Sequence, residues 1–250
     1  MRDGYTSEQA ASFGVAAAEY ERARPSYPSA AIEWMLPAGA RAVADVGAGT
    51  GKLTRALAGR GLEVVALEPS EGMRLTLEAE LPEVRALAGR GERLPLADDS
   101  VDVVTYAQAW HWVEEGAALA EAARVLRPGG RLACVWNVRD DTVGWMRELS
   151  RLIDRFGTNT MFPEDYSFGS PFGPTERLDV PWSRPIDEQS LIDLLASRSY
   201  MIVAPEEERQ AFFAEVHELV ATHPELAGHE SFEMPYVTRC FRAAPASDRG

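Results

Sequence analysis

Residues Val43–Lys52 read VADVGAGTGK: an apolar run, an aspartate, then glycines at 47, 49 and 51 leading into helix-forming residues. Glycine alone permits both a sharp bend off a buried strand and a close approach of bare backbone to a ligand. The stretch therefore predicts a strand, a tight loop and a helix gathered around a nucleotide-like small molecule. A phosphate-cradling P-loop needs four residues between its first glycine and the Gly-Lys pair, followed by Ser or Thr. Here Ala48, Gly49 and Thr50 alone intervene and Leu53 follows Lys52, which removes that reading. The dinucleotide fingerprint wants its third glycine where Lys52 stands, so it is strained but stays open.

Further on, the apolar run Leu62–Leu67 ends in Glu68, Pro69 and Ser70. A carboxylate at the carboxyl end of the second strand of a doubly wound sheet accepts both hydroxyls of a ribose, so an unphosphorylated ribose is expected here. Ser70 is a suitable helix N-cap, with Glu71 in the first turn. The pattern then alternates. Helices are expected at Ser29–Leu36, Thr50–Arg60, Ser70–Leu81 and Val113–Leu126, and strands at Arg41–Val46, Leu62–Leu67, Val84–Ala88, Val101–Ala107 and Gly130–Asn137. Such alternation implies an α/β fold: a parallel sheet with helices on both faces and ligands at the carboxyl ends of its strands. The heptapeptide RALAGRG occurs at Arg55–Gly61 and again at Arg85–Gly91. The first copy reads as a helix end and the second as strand into loop, not as a repeat architecture.

Four segments in order, DVGAGTG (45–51), LEPS (67–70), GERLPLADDSVDVV (91–104) and LRPGG (126–130), resemble the motifs of class I S-adenosylmethionine-dependent methyltransferases over the region Arg41–Val138. The resemblance implies a Rossmann-like, seven-stranded doubly wound sheet of order 3-2-1-4-5-7-6 with the last strand antiparallel, and S-adenosyl-L-methionine as cofactor. By the same resemblance Asp45 and the loop Gly47/Gly49/Gly51 hold the methionine end, Glu68 with Pro69 the ribose, and Gly91–Glu92 the adenine; taken alone, Asp45 reads equally as a cap or pin for the glycine loop and Glu68 as a solvated strand end. The segment AAAEYERARPSYP (16–28) is similar to the trans-aconitate methyltransferase-like branch, where the first helix folds over the cofactor. That places Tyr20, Arg24 and Tyr27 at the methionine carboxylate or as closers of the active site; the plainer reading is a surface helix stopped by Pro25 and Pro28.

The stretch AQAWHWV (107–113) falls where the transferred methyl group should sit. Gln108 and Trp110 are expected to line the site, and Trp110 or Trp112 to face a sulfonium, because a desolvated aromatic face attracts a cation. His111 is the candidate catalytic base, its ordinary pKa of about 6.5 suiting it to that role near neutrality. The plainer reading makes one tryptophan core and the other a prop. Phe168, Phe172 and Trp182 are candidates for the same aromatic cage, and Arg139, Arg177 and Arg184 are donors for a carboxylate acceptor. The expected reaction is in-line displacement of a methyl group onto an O, N or C nucleophile of a small molecule, a small carboxylate or secondary metabolite being favoured by the branch resemblance. A non-catalytic partner subunit that binds the donor or its demethylated product is the second reading.

With 250 residues, 46% of them apolar, the chain can bury the core of one large domain. Its parts are expected to be an N-terminal helical cap (1–38), a cofactor-binding core (39–138), an inserted lid over 139–198 with helices at about Thr142–Phe156 and Asp187–Ser197 on either side of an aperiodic segment, and closing elements (199–243) that include a strand at Tyr200–Ala204, a helix at Glu206–Thr222 and a strand at Ser231–Phe241. A formal charge of -14, with Lys52 the single lysine, argues against nucleic acid as a partner, since that binding rests on releasing counterions through basic side chains. The start MRDGYTSEQ has no signal-peptide character and no run approaches the ~20 apolar residues of a membrane span, which predicts a cytoplasmic monomer or homodimer. Cys134 and Cys240 have no companion ligands at metal spacing, so reduced buried thiols and no metal are expected.

Overall fold

The run AVADV becomes β1 (Ala42–Val46), buried along its whole length, and the other apolar runs line up beside it. In this computed structural model, which describes residues 24–156 and 166–246, β2 (Glu63–Leu67) and β4 (Val101–Ala107) flank β1 in parallel. β3 (Arg85–Leu87) extends the sheet beyond β2, and β5 (Leu126–Arg139) lies parallel to β4. β7 (Phe232–Ala243) then pairs antiparallel with β5, and β6 (Glu176–Ile186) pairs antiparallel with β7 at the edge. The order is β3-β2-β1-β4-β5-β7-β6, the Rossmann-like arrangement the motifs imply. The helices are α1 (Ser29–Met35), α2 (Lys52–Ala58), α3 (Glu71–Glu80), α4 (Glu115–Val125), α5 (Gly144–Asp154), α6 (Glu188–Ala196), α7 (Ser199–Val203) and α8 (Glu206–Thr222).

Because side chains alternate across a strand, each parallel strand feeds two cores. Ala44, Val104, Leu132 and Cys134 pack with Ala118, Ala122 and Val125 of α4 on one face. Val43, Val103, Ala133 and Val135 meet α1 through Ile32 and Met35, and α2 through Leu53 and Leu57, on the other. A third core joins Trp145 and Leu149 of α5, Leu191 and Leu194 of α6, and Phe212 and Val216 of α8 to Phe232 and Tyr236 of β7. Both cysteines are free and buried, Cys134 in the first core and Cys240 in the second.

Two elements differ from expectation. Residues Tyr200–Ala204, expected as a strand, begin inside the short helix α7, and the sixth strand is instead β6, within the stretch expected to be an aperiodic lid. Pro181 and Pro185 hide β6 in the sequence, since proline cannot donate to a ladder. They are tolerated because β6 has a neighbour on one side only. The two helices expected in the stretch 139–198 do form, as α5 and α6, and both join the third core. A smaller difference falls after β4: the helix expected from Val113 begins at Glu115 as α4, whose N-cap Glu114 accepts hydrogen bonds from the backbone N–H of Gly116 and Ala117, and a 3-10 turn, Trp110–Trp112, precedes it. The two RALAGRG copies separate as expected, into α2 and β3, because the flanking chain decides what the same seven residues do. No helix among the described residues is long and apolar enough to cross a membrane.

Candidate active site

At the carboxyl ends of β1, β4 and β5 a cleft of about 530 Å3 opens between the glycine loop and the chain just before α1. Gly47–Thr50 with Lys52 and Leu53 form its floor, Ala107, Gln108 and Asn137 one wall, and Arg24, Pro25, Tyr27 and Arg198 the opposite side. Gly47, Gly49 and Gly51 all have positive φ, of 69°, 58° and 94°. A Cβ on Gly47 would lie 2.5 Å from the Cβ of Ala109, so only glycine lets the loop close against the turn after β4. At Gly49 the space beyond the Cα is open, Met73 Sδ being 3.9 Å from the position a Cβ would take, which leaves room for a ligand against the bare backbone.

Two buried carboxylates meet this loop. Asp45 is wholly inaccessible. The Thr54 hydroxyl donates to its Oδ2 at 2.6 Å and the Thr105 hydroxyl to its Oδ1 at 3.0 Å, which ties α2 and β4 to β1. Burial pushes its carboxyl up from 3.8 to about 6, the two hydroxyls pulling partly back. Asp45 therefore stands beneath the loop and not on the cleft wall. Glu68 accepts the Gly49 N–H at 2.9 Å on Oε2 and the Ser70 N–H at 2.8 Å on Oε1. Burial raises its pKa; the N–H groups of Ser70 and Gly49 and the charge of Arg74 offset this in part. A carboxylate has about four lone-pair positions, so two remain for hydroxyl donors.

Near Glu68, Pro69 is exposed. Gly91 is packed so closely that a Cβ would sit 2.7 Å from Val113 and 2.8 Å from the Tyr106 hydroxyl, and Glu92 Oε1 accepts the N–H of Glu114 at 2.8 Å. Glu68, Pro69, Gly91 and Glu92 are not among the residues that line the cleft.

Gln108 has φ 57°, a left-handed conformation held by its N–H donating to the Val135 carbonyl at 2.8 Å and its Nε2 to the Asn137 carbonyl at 3.2 Å. Strained backbone of this kind costs about 1–3 kcal/mol and persists where the surroundings over-determine it. Arg24 donates through Nη2 to the Ser197 carbonyl at 3.4 Å, fixing it beside Arg198 at the cleft. Tyr27 is half-buried beside them, whereas Tyr20 lies outside the described residues.

The tryptophans are placed otherwise than expected. Trp110 is 3% exposed and belongs to the core, edge-on to Tyr106 and Phe168; its Nε1 donates to the Tyr166 hydroxyl, which in turn donates to Glu115. Trp112 is 55% exposed. Phe168 and Phe172 are core, and Trp182 stacks on Tyr236, so none of the five forms a cage around the cleft. The reason is the 3-10 turn, which rolls Trp110 under the sheet and Trp112 outward. His111 packs on Trp112 with ring centroids 4.3 Å apart and also lies outside the lining. Its apolar neighbours lower its pKa to about 4, a shift tempered by the ring's open side, so it is neutral at pH 7.

Arg139, at the end of β5, donates to Ser150 Oγ at 2.8 Å and approaches Asp154 at 3.9 Å. It is near enough to Arg198 to feel its charge, and Arg24, Arg139 and Arg198 all act on the Tyr200 hydroxyl. Arg198 and Asn137 carry no motif and were not singled out from the sequence. The one signal at Asn137 is a polar residue ending the apolar run LACVWN, the same kind of signal as Glu68.

A doubly wound sheet with a glycine-floored cleft and an acid at the end of β2 defines an α/β enzyme that binds an adenosyl ligand. Comparison with known proteins agrees. The family model described as a methyltransferase domain matches residues 44–134. An uncharacterized methyltransferase of Mycobacterium tuberculosis is 51% identical over 235 residues, covering 94% of this chain and 96% of the relative. A methyltransferase-like protein of Schizosaccharomyces pombe is 34% identical, covering 90% and 91%. In fold, a structure assigned as a type II methyltransferase from Anaeromyxobacter dehalogenans superposes with a TM-score of 0.65 at 22% identity, covering 89% of this chain and 97% of that one. The chain belongs to the class I methyltransferase family and is an S-adenosylmethionine-dependent enzyme.

Proposed function

We propose that the cleft seats S-adenosylmethionine beside a small acceptor that carries a carboxylate. The observation that supports the donor's orientation is the Glu68 carboxylate, pinned to the loop through Gly49 and Ser70 with lone pairs to spare for the two ribose hydroxyls. Gly91 and Glu92 then border the adenine. Arg24 takes the methionine carboxylate, and the Gln108 side-chain oxygen, which accepts no hydrogen bond among the described residues, takes the ammonium. When bound, the donor supplies a methyl group on a positively charged sulfur, already an excellent leaving group.

What this chain contributes is position and dryness. Fixing two partners at near-attack distance is worth up to roughly 7–11 kcal/mol in the best cases. For the acceptor, the support is local charge. In a protein with net charge -14, Arg198 lines the cleft, Arg139 stands close enough to feel its charge without lining the cleft, and among the described residues the Arg198 guanidinium makes no hydrogen bond or ion pair. Guanidinium groups match carboxylates in geometry and charge. A carboxylate arrives already ionised and needs no base, which accords with His111 standing outside the cleft lining, and no proton transfer is assigned to it.

Calorimetric titration with S-adenosylhomocysteine and NAD side by side tests the donor reading. The thioether is expected to bind and NAD not; the reverse overturns it. Incubation with labelled donor and a metabolite extract, with products sorted by charge, tests the acceptor.

A further inference from the structure

The chain before α1 crosses the cleft as a strap, Arg24–Pro28, and the sheet holds it by one hydrogen-bonded chain of fixed polarity. Trp182 Nε1 donates to Thr238 Oγ1 at 2.7 Å, the Thr238 hydroxyl donates to Asn137 Oδ1 at 2.6 Å, and Asn137 Nδ2 donates to the Ser26 carbonyl at 2.9 Å. An indole N–H can only donate, so Thr238 must pass its single proton on to the Asn137 oxygen, and the Asn137 amide N–H must then face the strap. Thr238 is fully buried and Asn137 nearly so. The Asn137 carbonyl meanwhile accepts from Gln108, the strained residue at the end of β4.

We propose that Asn137 is the positioning residue that latches the strap over the bound donor, its amide aimed by Thr238 and Trp182 from the β6–β7 side of the sheet. Three segments distant in sequence meet at this one residue, the strap and the β6–β7 pair through its side chain and the turn after β4 through its main-chain carbonyl, and Asn137 itself lines the cleft. The strap carries Arg24 and Tyr27, so releasing it withdraws both from the site. The latch acts once the ligand is seated, so it governs escape more than entry.

This inference rests on the donor reading of the cleft, and stopped-flow tryptophan fluorescence with S-adenosylhomocysteine separates the two. In Asn137→Ala and Asn137→Asp the dissociation rate should rise roughly three- to ten-fold, the worth of one net hydrogen bond, with the association rate little changed. Thr238→Val, at a residue outside the cleft lining, should raise dissociation in the same direction but less, because the amide loses its aim and not its reach. If both Asn137 variants fail to fold, Thr238→Val decides alone. A wild-type chain that does not bind the thioether overturns the donor reading and this inference with it. Normal wild-type binding with dissociation within about two-fold in the folded variants, or association slowed as much as dissociation is sped, overturns this inference alone.

Discussion

Asp45 and Glu68 stand at the ends of neighbouring parallel strands, both buried and both with carboxyls pushed up by burial, yet they serve opposite purposes. Asp45 spends its oxygens on Thr54 and Thr105, hydroxyls of its own core, and so fastens α2 and β4 to β1. Glu68 takes only backbone N–H groups of the loop it borders and keeps acceptor capacity beyond them. One acid builds the floor and the other presents it. On the proposed function, a buried carboxylate at a strand end is told apart by who donates to it: side chains of the core mark architecture, and loop backbone marks the edge where the donor is proposed to sit.

The strongest way to break this contrast is to break the loop joining the two acids. Gly47→Val, at φ 69° and with a Cβ set against Ala109, should abolish measurable S-adenosylhomocysteine binding by calorimetry and lower folding stability by about 3 kcal/mol or more. Normal binding would show that the loop is not the floor.

Next comes pH. The folded carboxyl of Asp45 lies near 6 against 3.8 unfolded, so between these values the folded state holds the extra proton. Stability should therefore fall as pH rises through that window, by roughly 3 kcal/mol at most from this group, and stay level above it. Glu68, also raised, adds to the fall from 4.5 upward. Denaturant melts of wild type and Asp45→Asn from pH 3.5 to 7 check this, and an equal fall in the variant would remove Asp45 as its source.

Glu68→Ala sharpens the comparison from the other side. It should cost donor affinity about 1.5–3 kcal/mol, the range for a charge-assisted hydrogen bond, with a smaller change in melting temperature. Smallest is Trp112→Ala. This exposed ring is expected to move stability by no more than about 0.5 kcal/mol and to leave thioether affinity alone. A large loss of affinity would restore Trp112 to the site.

The floor was legible in the sequence and the roof was not, for a physical reason. Strands buried on both faces of a parallel sheet must be continuous apolar runs, and the glycines and acids at their ends break those runs at the loops that follow, so β1, β2 and Glu68 announce themselves. Edge strand β6 needs no such run and carries Pro181 and Pro185, while Tyr200, Ile202 and Val203 suggest a strand where tertiary packing makes a helix around buried Met201. Arg198 and Asn137 become neighbours of the strap only through long-range closure, which no local spacing encodes. For Asp45 the sequence left a ligand contact and a pin for the glycine loop both open, because its partners Thr54 and Thr105 are defined by the folded sheet.

The most direct test is a paired titration of Glu68→Gln and Asp45→Asn with S-adenosylhomocysteine at pH 7.5. The amide of Glu68→Gln cannot accept from both Gly49 and Ser70 and also from the ribose, as the proposed role of the carboxylate requires, so its affinity should drop ~10-fold or more. Asp45→Asn should stay within about three-fold of wild type, since its contacts are to Thr54 and Thr105 beneath the loop. Unchanged binding in Glu68→Gln, or a greater loss in Asp45→Asn, would contradict the division of labour between the two acids.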